Sequence, residues 1–138
     1  NFRHFAIFSG WIDKKENKVL KSSYSFDLLY RASRDGNTPT AFHQKCDNKG
    51  ANIVVIKIKG TEQIAGGYNP FGWEGNSQWK STKDSFMFSF VNRTNVQTAK
   101  KTCEMHIPYN YVYENDDNND DDEVDEIEEI NKRVFEKI

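Results

Sequence analysis

The polar and apolar positions alternate most cleanly in DSFMFSFVN, where Phe86, Phe88 and Phe90 point one way and Ser85, Met87 and Ser89 the other. A period of two over this length predicts a half-buried β-strand. NIVVIKIKG begins as a continuous apolar run and then alternates Ile56 and Ile58 with Lys57 and Lys59, a strand covered on both faces at its start. After a turn at KGTE, QIAGGYNP returns antiparallel, and Gly66-Gly67 within it marks a bulge or a close backbone approach. YSFDLLYRAS predicts an earlier strand with Phe26, Leu28, Tyr30 and Ala32 on one face.

Two segments follow a helical period instead. In NFRHFAIFSGWIDKK, Phe2, Phe5, Ala6, Ser9 and Ile12 share a face, with Asn1 as the cap and Gly10 as a weak point. Near the other end, EVDEIEEINKRVFEKI sets Val124, Ile127, Ile130, Val134 and Ile138 at three- and four-residue steps, with Phe135 alongside. That pattern predicts an amphipathic helix over 123–138, its acids early and Lys132, Arg133 and Lys137 late, as the helix dipole prefers.

Between the first strand and NIVVIKIKG lies SRDGNTP. Gly36 provides positive φ, Thr38 caps a helix, and Pro39 suits its first position; Phe42 and Cys46 share one face, and Gly50 ends it. Arg34, Asp35 and Gly36 therefore read first as a solvated strand-to-helix corner, and second as a surface for a partner. NPFGWEGNSQW is a loop whose Phe71, Trp73 and Trp79 fold back on the core as a lid. The order helix, strand, helix, hairpin, strand is an α+β layout on antiparallel β structure.

Composition adds one domain's worth of chain, 138 residues with ten Phe, six Tyr and three Trp. There is no apolar run of membrane-spanning length, and the start at Asn1 suggests a fragment or a processed chain. The net charge of −2 conceals +7 over residues 1–113 and −9 over 114–138. The lysines of the basic part are scattered, so nucleic acid is not an expected partner. ENKVLKSS is a polar linker, and residues 114–122 form an acidic one. Within that acidic run, an EF-hand reading fails twice, at Asp121 where glycine is needed and at Ile127 where glutamate is needed. Two cysteines without a disulfide framework point to a reducing, cytoplasmic setting.

Candidate chemistry is sparse. His43-x2-Cys46 and Cys103-x2-His106 supply four zinc-type ligands. Against that stands a reading in which Cys46 packs as a small core residue and His43 faces water. There is no phosphate loop or dinucleotide fingerprint, and no cofactor is expected.

SGWIDKK, LLYRASRDG, FHQKCDNKG, IVVIKIKGTEQIAGGYNP and WKSTKDSFMFSF, in this order, resemble the TLDc domain family over residues 2–92, most closely the versions common in fungi. The resemblance implies a β-sandwich of two antiparallel sheets with flanking helices. It also implies a non-catalytic interaction role, linked to oxidation resistance or to regulation of the vacuolar proton-pumping ATPase. Arg34, Asp35, Gly36, Gly66, Gly67, Tyr68, Asn69, Pro70 and Trp73 carry it as structural or interaction residues. Protein partners follow, ATPase subunits or an adjacent BTB-type domain, and no membrane insertion. After Phe90 the family pattern fades: TCEMHIPYNYVY gives one candidate strand, and Gly75 is the last glycine. The expectation is an incomplete sandwich over 1–113, monomeric if the tail helix docks on it. The alternatives are a thiol-dependent antioxidant enzyme and a zinc-stabilised module.

Overall fold

The protein is described by a computed structural model over residues 2–15, 24–73, 80–103 and 124–134, the last stretch as backbone. The Asn1 cap, the linkers at 16–23 and 114–122, Trp79, His106 and the strand expected beyond Cys103 lie outside these residues.

Helix α1 (Phe2–Ile12) runs before β1 (Tyr24–Arg31), the short α2 (Ala32–Asp35), α3 (Pro39–Cys46), β2 (Asn52–Ile58), β3 (Ile64–Asn69), β4 (Phe86–Phe90), β5 (Ala99–Cys103) and β6 (Val124–Val134). All six strands form one antiparallel sheet, ordered β1-β6-β2-β3-β4-β5. The α+β expectation stands. The described residues contain this single sheet and no second one.

The core lies under α1. Phe86, Phe88 and Phe90 are buried while Met87 and Ser89 are exposed, as the alternation requires. Phe8 meets Phe88 at 4.7 Å and Phe90 at 6.2 Å between ring centroids, and Trp11 meets Phe86 at 5.7 Å. Ile53, Ile64 and Tyr68 complete the buried cluster. Burying each large apolar side chain contributes roughly 1.5–3 kcal/mol. His4 stands edge-on to Phe90 at 5.1 Å, its Nε2 buried with no hydrogen-bond partner among the described residues, and burial first lowers its pKa below the ordinary imidazole value against the opposing effect of the Arg93 backbone. The helix ends where Lys14, at φ 55°, closes a Schellman pattern: Lys15 N donates to Gly10 O (2.9 Å) and Lys14 N to Trp11 O (3.2 Å).

Gly66 is a close approach and not a bulge. Its strand pairs with β2 and β4 without a register shift, between Val55 and Phe88. A Cβ there would lie 2.1 Å from Val54 O and 2.5 Å from Phe88 Cζ. The missing side chain lets the Phe88 ring lie over the backbone.

β1 departs from the single apolar face read from its sequence. Its register against β6 shifts between Leu28 and Tyr30. The inserted residue reverses the alternation. Phe26 therefore stacks on Phe5 of α1 at 4.8 Å, whereas Tyr30 meets Phe42 of α3 at 5.5 Å. The strand also stops at Arg31, and Ala32 begins a helical turn.

The largest correction concerns the tail. The helix expected over 123–138 is a strand over Val124–Val134, lying between β1 and β2 and antiparallel to both. β1 and β2 consequently run the same way and do not pair with each other. Each would leave an edge of N–H and C=O groups open. A helix can cover apolar surface but cannot satisfy those edges; a strand satisfies both. Tertiary pairing here overrides a helical period, which stabilises a helix only marginally on its own.

Two stability outcomes follow. Phe88→Ala removes the ring above Gly66 and should cost roughly 3–5 kcal/mol in chemical denaturation. Truncation after Tyr113 removes β6; the shortened chain should melt at a lower temperature and self-associate in gel filtration through its two open edges.

Candidate functional site at the strand to helix corner

The corner is built by charge closing on the backbone. Asp35, the last residue of α2, accepts from Arg34 Nη2 (2.6 Å to Oδ2) and Nε (2.9 and 3.0 Å), and its Oδ2 also accepts from the Arg31 backbone N–H at 2.9 Å. Arg34 Nη2 additionally donates to Leu29 O at 3.1 Å. The guanidinium first, and the Arg31 amide second, hold the Asp35 carboxyl down to about 2. The Asp35 side chain is 11% exposed and that of Arg34 49%.

Gly36 caps this turn at φ 99°, ψ 135°, its N–H donating to Ala32 O at 3.0 Å. Its carbonyl accepts from the hydroxyl of buried Tyr30 at 2.8 Å. Burial, then nearby Cys46 and Asp35, raises the Tyr30 pKa. Thr38 caps α3 by accepting from Ala41 N at 3.2 Å, with Pro39 in the first turn, as the sequence pattern indicates.

From there the aromatic contacts lead to the second group of signature residues. Phe42 lies 5.5 Å from Tyr30 and 5.4 Å from Trp73. Trp73 is tied to the end of α3 by a parallel bridge to Asp47 and by Asn48 N donating to its carbonyl at 2.7 Å. Asn69 forms the intervening turn: its Oδ1 accepts from Phe71 N (3.0 Å) and its Nδ2 donates to Gly72 O (3.1 Å). Gly72, at φ 76°, passes so near the chain that a Cβ would lie 2.3 Å from Gly50 O. Arg34, Asp35, Gly36 and the Asn69-Pro70 turn with Trp73 thus border one aromatic cluster. Gly66, Gly67 and Tyr68 belong to the sheet. Tyr68 is buried in the main core, its hydroxyl pushed up to about 12 by burial first and by Asp84 and Asp13 after it. Trp73 folds back on α3 rather than on the main core, and Phe71 stays 39% exposed under Lys80.

The zinc-type residues are placed as follows. His43 Nδ1 contacts Asp47 Oδ1 at 2.7 Å, one turn along α3. Cys46 is in no disulfide among the described residues and is 0% exposed. Cys103 ends β5, paired in register with Phe86, and His106 lies outside the described residues. Among the described residues, no three His, Cys, Asp or Glu side chains gather in a metal-binding cluster.

Two features escaped sequence reading. Tyr24 donates to Asp13, while Lys14 bridges Asp84 at 2.7 Å, joining the end of α1 to the sheet. Burial, then Asp13, pushes the Tyr24 hydroxyl up to about 12. Asn52 opens β2 at 0% exposure, its Oδ1 without a hydrogen-bond partner among the described residues. An asparagine before an apolar run reads as an ordinary strand boundary, so no local signal marks it.

The TLDc domain family model matches residues 4–119, well past Asn92, near where the resemblance in sequence fades. No curated protein matches the chain.

The corner yields two outcomes. Gly36→Val should destabilise by roughly 1–3 kcal/mol in a denaturant melt, because a β-branched residue is strained at that φ. Asp35 has a depressed folded pKa, so its stabilisation is present above the unfolded value near 4 and lost as pH falls toward about 2. Asp35→Asn should therefore be less stable than wild type at pH 6, with the gap closing by about pH 2 in acid-unfolding curves.

Proposed function

The chain belongs to the TLDc domain family, and from that premise we propose that it acts as a non-catalytic protein-interaction module. The observation that carries this reading is the closure of the corner. Asp35 is engaged by Arg34 and the Arg31 amide, so its carboxylate is committed to holding the turn. Cys46, three residues from His43 on α3, is fully buried, and attack on a substrate would require opening the packing around it. Exposed Met87, Val91 and Phe71 supply apolar contact surface instead.

Within that role, the finer assignment is to oxidation resistance through binding of the vacuolar proton-pumping ATPase, with a cytoplasmic location. An adjacent BTB-type domain is the other partner of this reading. No described helix is long and apolar enough to cross a membrane.

The experiment is co-purification. A tagged chain should retain pump subunits from a detergent extract of vacuolar membranes, and an Arg34→Ala, Trp73→Ala double variant that still folds should retain fewer. Loss of all pump subunits from the wild-type eluate removes the pump assignment. Peroxide consumption by the purified protein that disappears in a Cys46→Ser, Cys103→Ser variant would replace the interaction reading with an enzyme.

A further inference from the structure

The slot that β6 fills is held open by contacts other than those of β6. On one side, β1 is fixed to α1 by the Phe5–Phe26 stack at 4.8 Å and by the Tyr24–Asp13 hydrogen bond. It is fixed to α3 by the Tyr30–Phe42 contact at 5.5 Å. On the other side, β2 is fixed by Ile53 in the main core and by its pairing with β3. The walls therefore stand about two strand spacings apart, roughly 9–10 Å, and admit one strand.

β6 reaches this slot from far away. β5 and β6 are both antiparallel to β2 by the chain of pairings, so they run the same way, four strand positions apart. Residues 104–123 make the return, 20 residues with eight acids and no Lys or Arg. Extended, they reach roughly 66–72 Å, ample for the crossing. A long tether makes the occupied state a matter of local concentration, and the same segment of another chain competes for the slot on equal chemistry.

Register is the weak point of such a strand. Val124, Ile127, Ile130 and Val134 do not alternate, so the apolar pattern does not choose one register over its neighbours. The observed pairing sets polar positions against one another. Asn131 stands opposite Asn52 on one side and Asp27 on the other. Asn52 is wholly buried and its Oδ1 has no partner among the described atoms. Glu126 stands opposite Lys57, and Glu128 opposite Arg31. Shifting β6 by one residue would remove all of these juxtapositions at once.

We propose that the gap between β1 and β2 is a strand-binding site, that β6 is its tethered and exchangeable occupant, keyed at Asn52 and Asn131, and that residues 124–134 of a second copy of this chain fit the same site. The proposal does not rest on the functional reading above.

Two measurements test it. In the first, a protease site is placed at residues 115–120 of the full chain and cut after folding. The 121–138 fragment should stay bound in gel filtration, and a fluorescent synthetic 121–138 peptide in excess should replace it. The same peptide carrying Asn131→Ala should bind on the order of tenfold more weakly, a penalty that shrinks when the cut protein carries Asn52→Ala. Equal binding of the two peptides to wild-type protein overturns the key, and release of the fragment without loss of melting temperature overturns the site. The second measurement needs no cut. Two tagged full-length chains, both with Cys46→Ser and Cys103→Ser, carry Val54→Cys in one and Glu129→Cys in the other, positions paired in register across β2 and β6. Mild oxidation of a concentrated mixture should form a disulfide between the two copies. Moving the second cysteine to position 128 should greatly reduce it. No inter-copy disulfide, or equal yields at 128 and 129, overturns the exchange.

Discussion

The backbone groups that β1 and β2 turn toward one another have to be hydrogen-bonded, and β6 is what bonds them. The two strands run parallel, joined through α2 and α3, with a gap between them. A parallel pair joined in this way is ordinarily closed by direct pairing. Here the corner and α1 hold β1 one strand further out, so the pairing needs a third strand from elsewhere in the chain. The family match ends at residue 119, before that strand begins. The strand is therefore a feature of this chain that the matched segment does not contain, and it joins β1 to the rest of the sheet.

Only backbone pairing explains why so unsuitable a sequence takes that place. Apolar residues recur every three or four positions across Val124–Val134, and acids fill much of what lies between. As a helix, this segment would present one apolar stripe but would need its own stability, which is marginal at such a length. As a strand it gives up the stripe and gains two ladders of hydrogen bonds. Each ladder bond contributes modestly, but an unmade one in a buried edge costs more than a made one contributes. That asymmetry decides the conformation.

What was legible in the sequence was whatever its own neighbours determine. Phe86, Phe88 and Phe90 alternate because one face of β4 meets α1, and the structure puts them there. Thr38-Pro39 reads as a helix start and is one. Gly36 reads as a positive-φ turn and has φ 99°. What was not legible depends on residues distant in sequence. Gly66 could be read as a bulge or a close approach, and only the unshifted register, with the Val54 carbonyl and the Phe88 ring against it, decides for the second. Tyr30 looked continuous with Phe26 until the register against β6 shifted. The tail looked helical because nothing within it refers to the two edges it fills. The aromatic cluster at the corner was half visible: Trp73 and Phe42 were each noticed, but their meeting depends on the turn that Asn69 holds.

The bulge in β1 connects these observations. Without the extra residue, Tyr30 would face α1 with Phe26, and α3 would have no aromatic anchor on the sheet. With it, one strand presents Phe26 to α1 and Tyr30 to α3, so helices on opposite faces hold the same strand. The Tyr30 hydroxyl then reaches Gly36 O, and Asp35 ties the turn back to the Arg31 amide at the strand's end. The residues that make the corner specific are thus the ones that fix β1 in space, and β1 is one wall of the slot. The corner read from its sequence as a solvated turn commits its charges to the backbone: Asp35 holds the Arg31 amide and Arg34, still half exposed, holds the Leu29 carbonyl of the same wall.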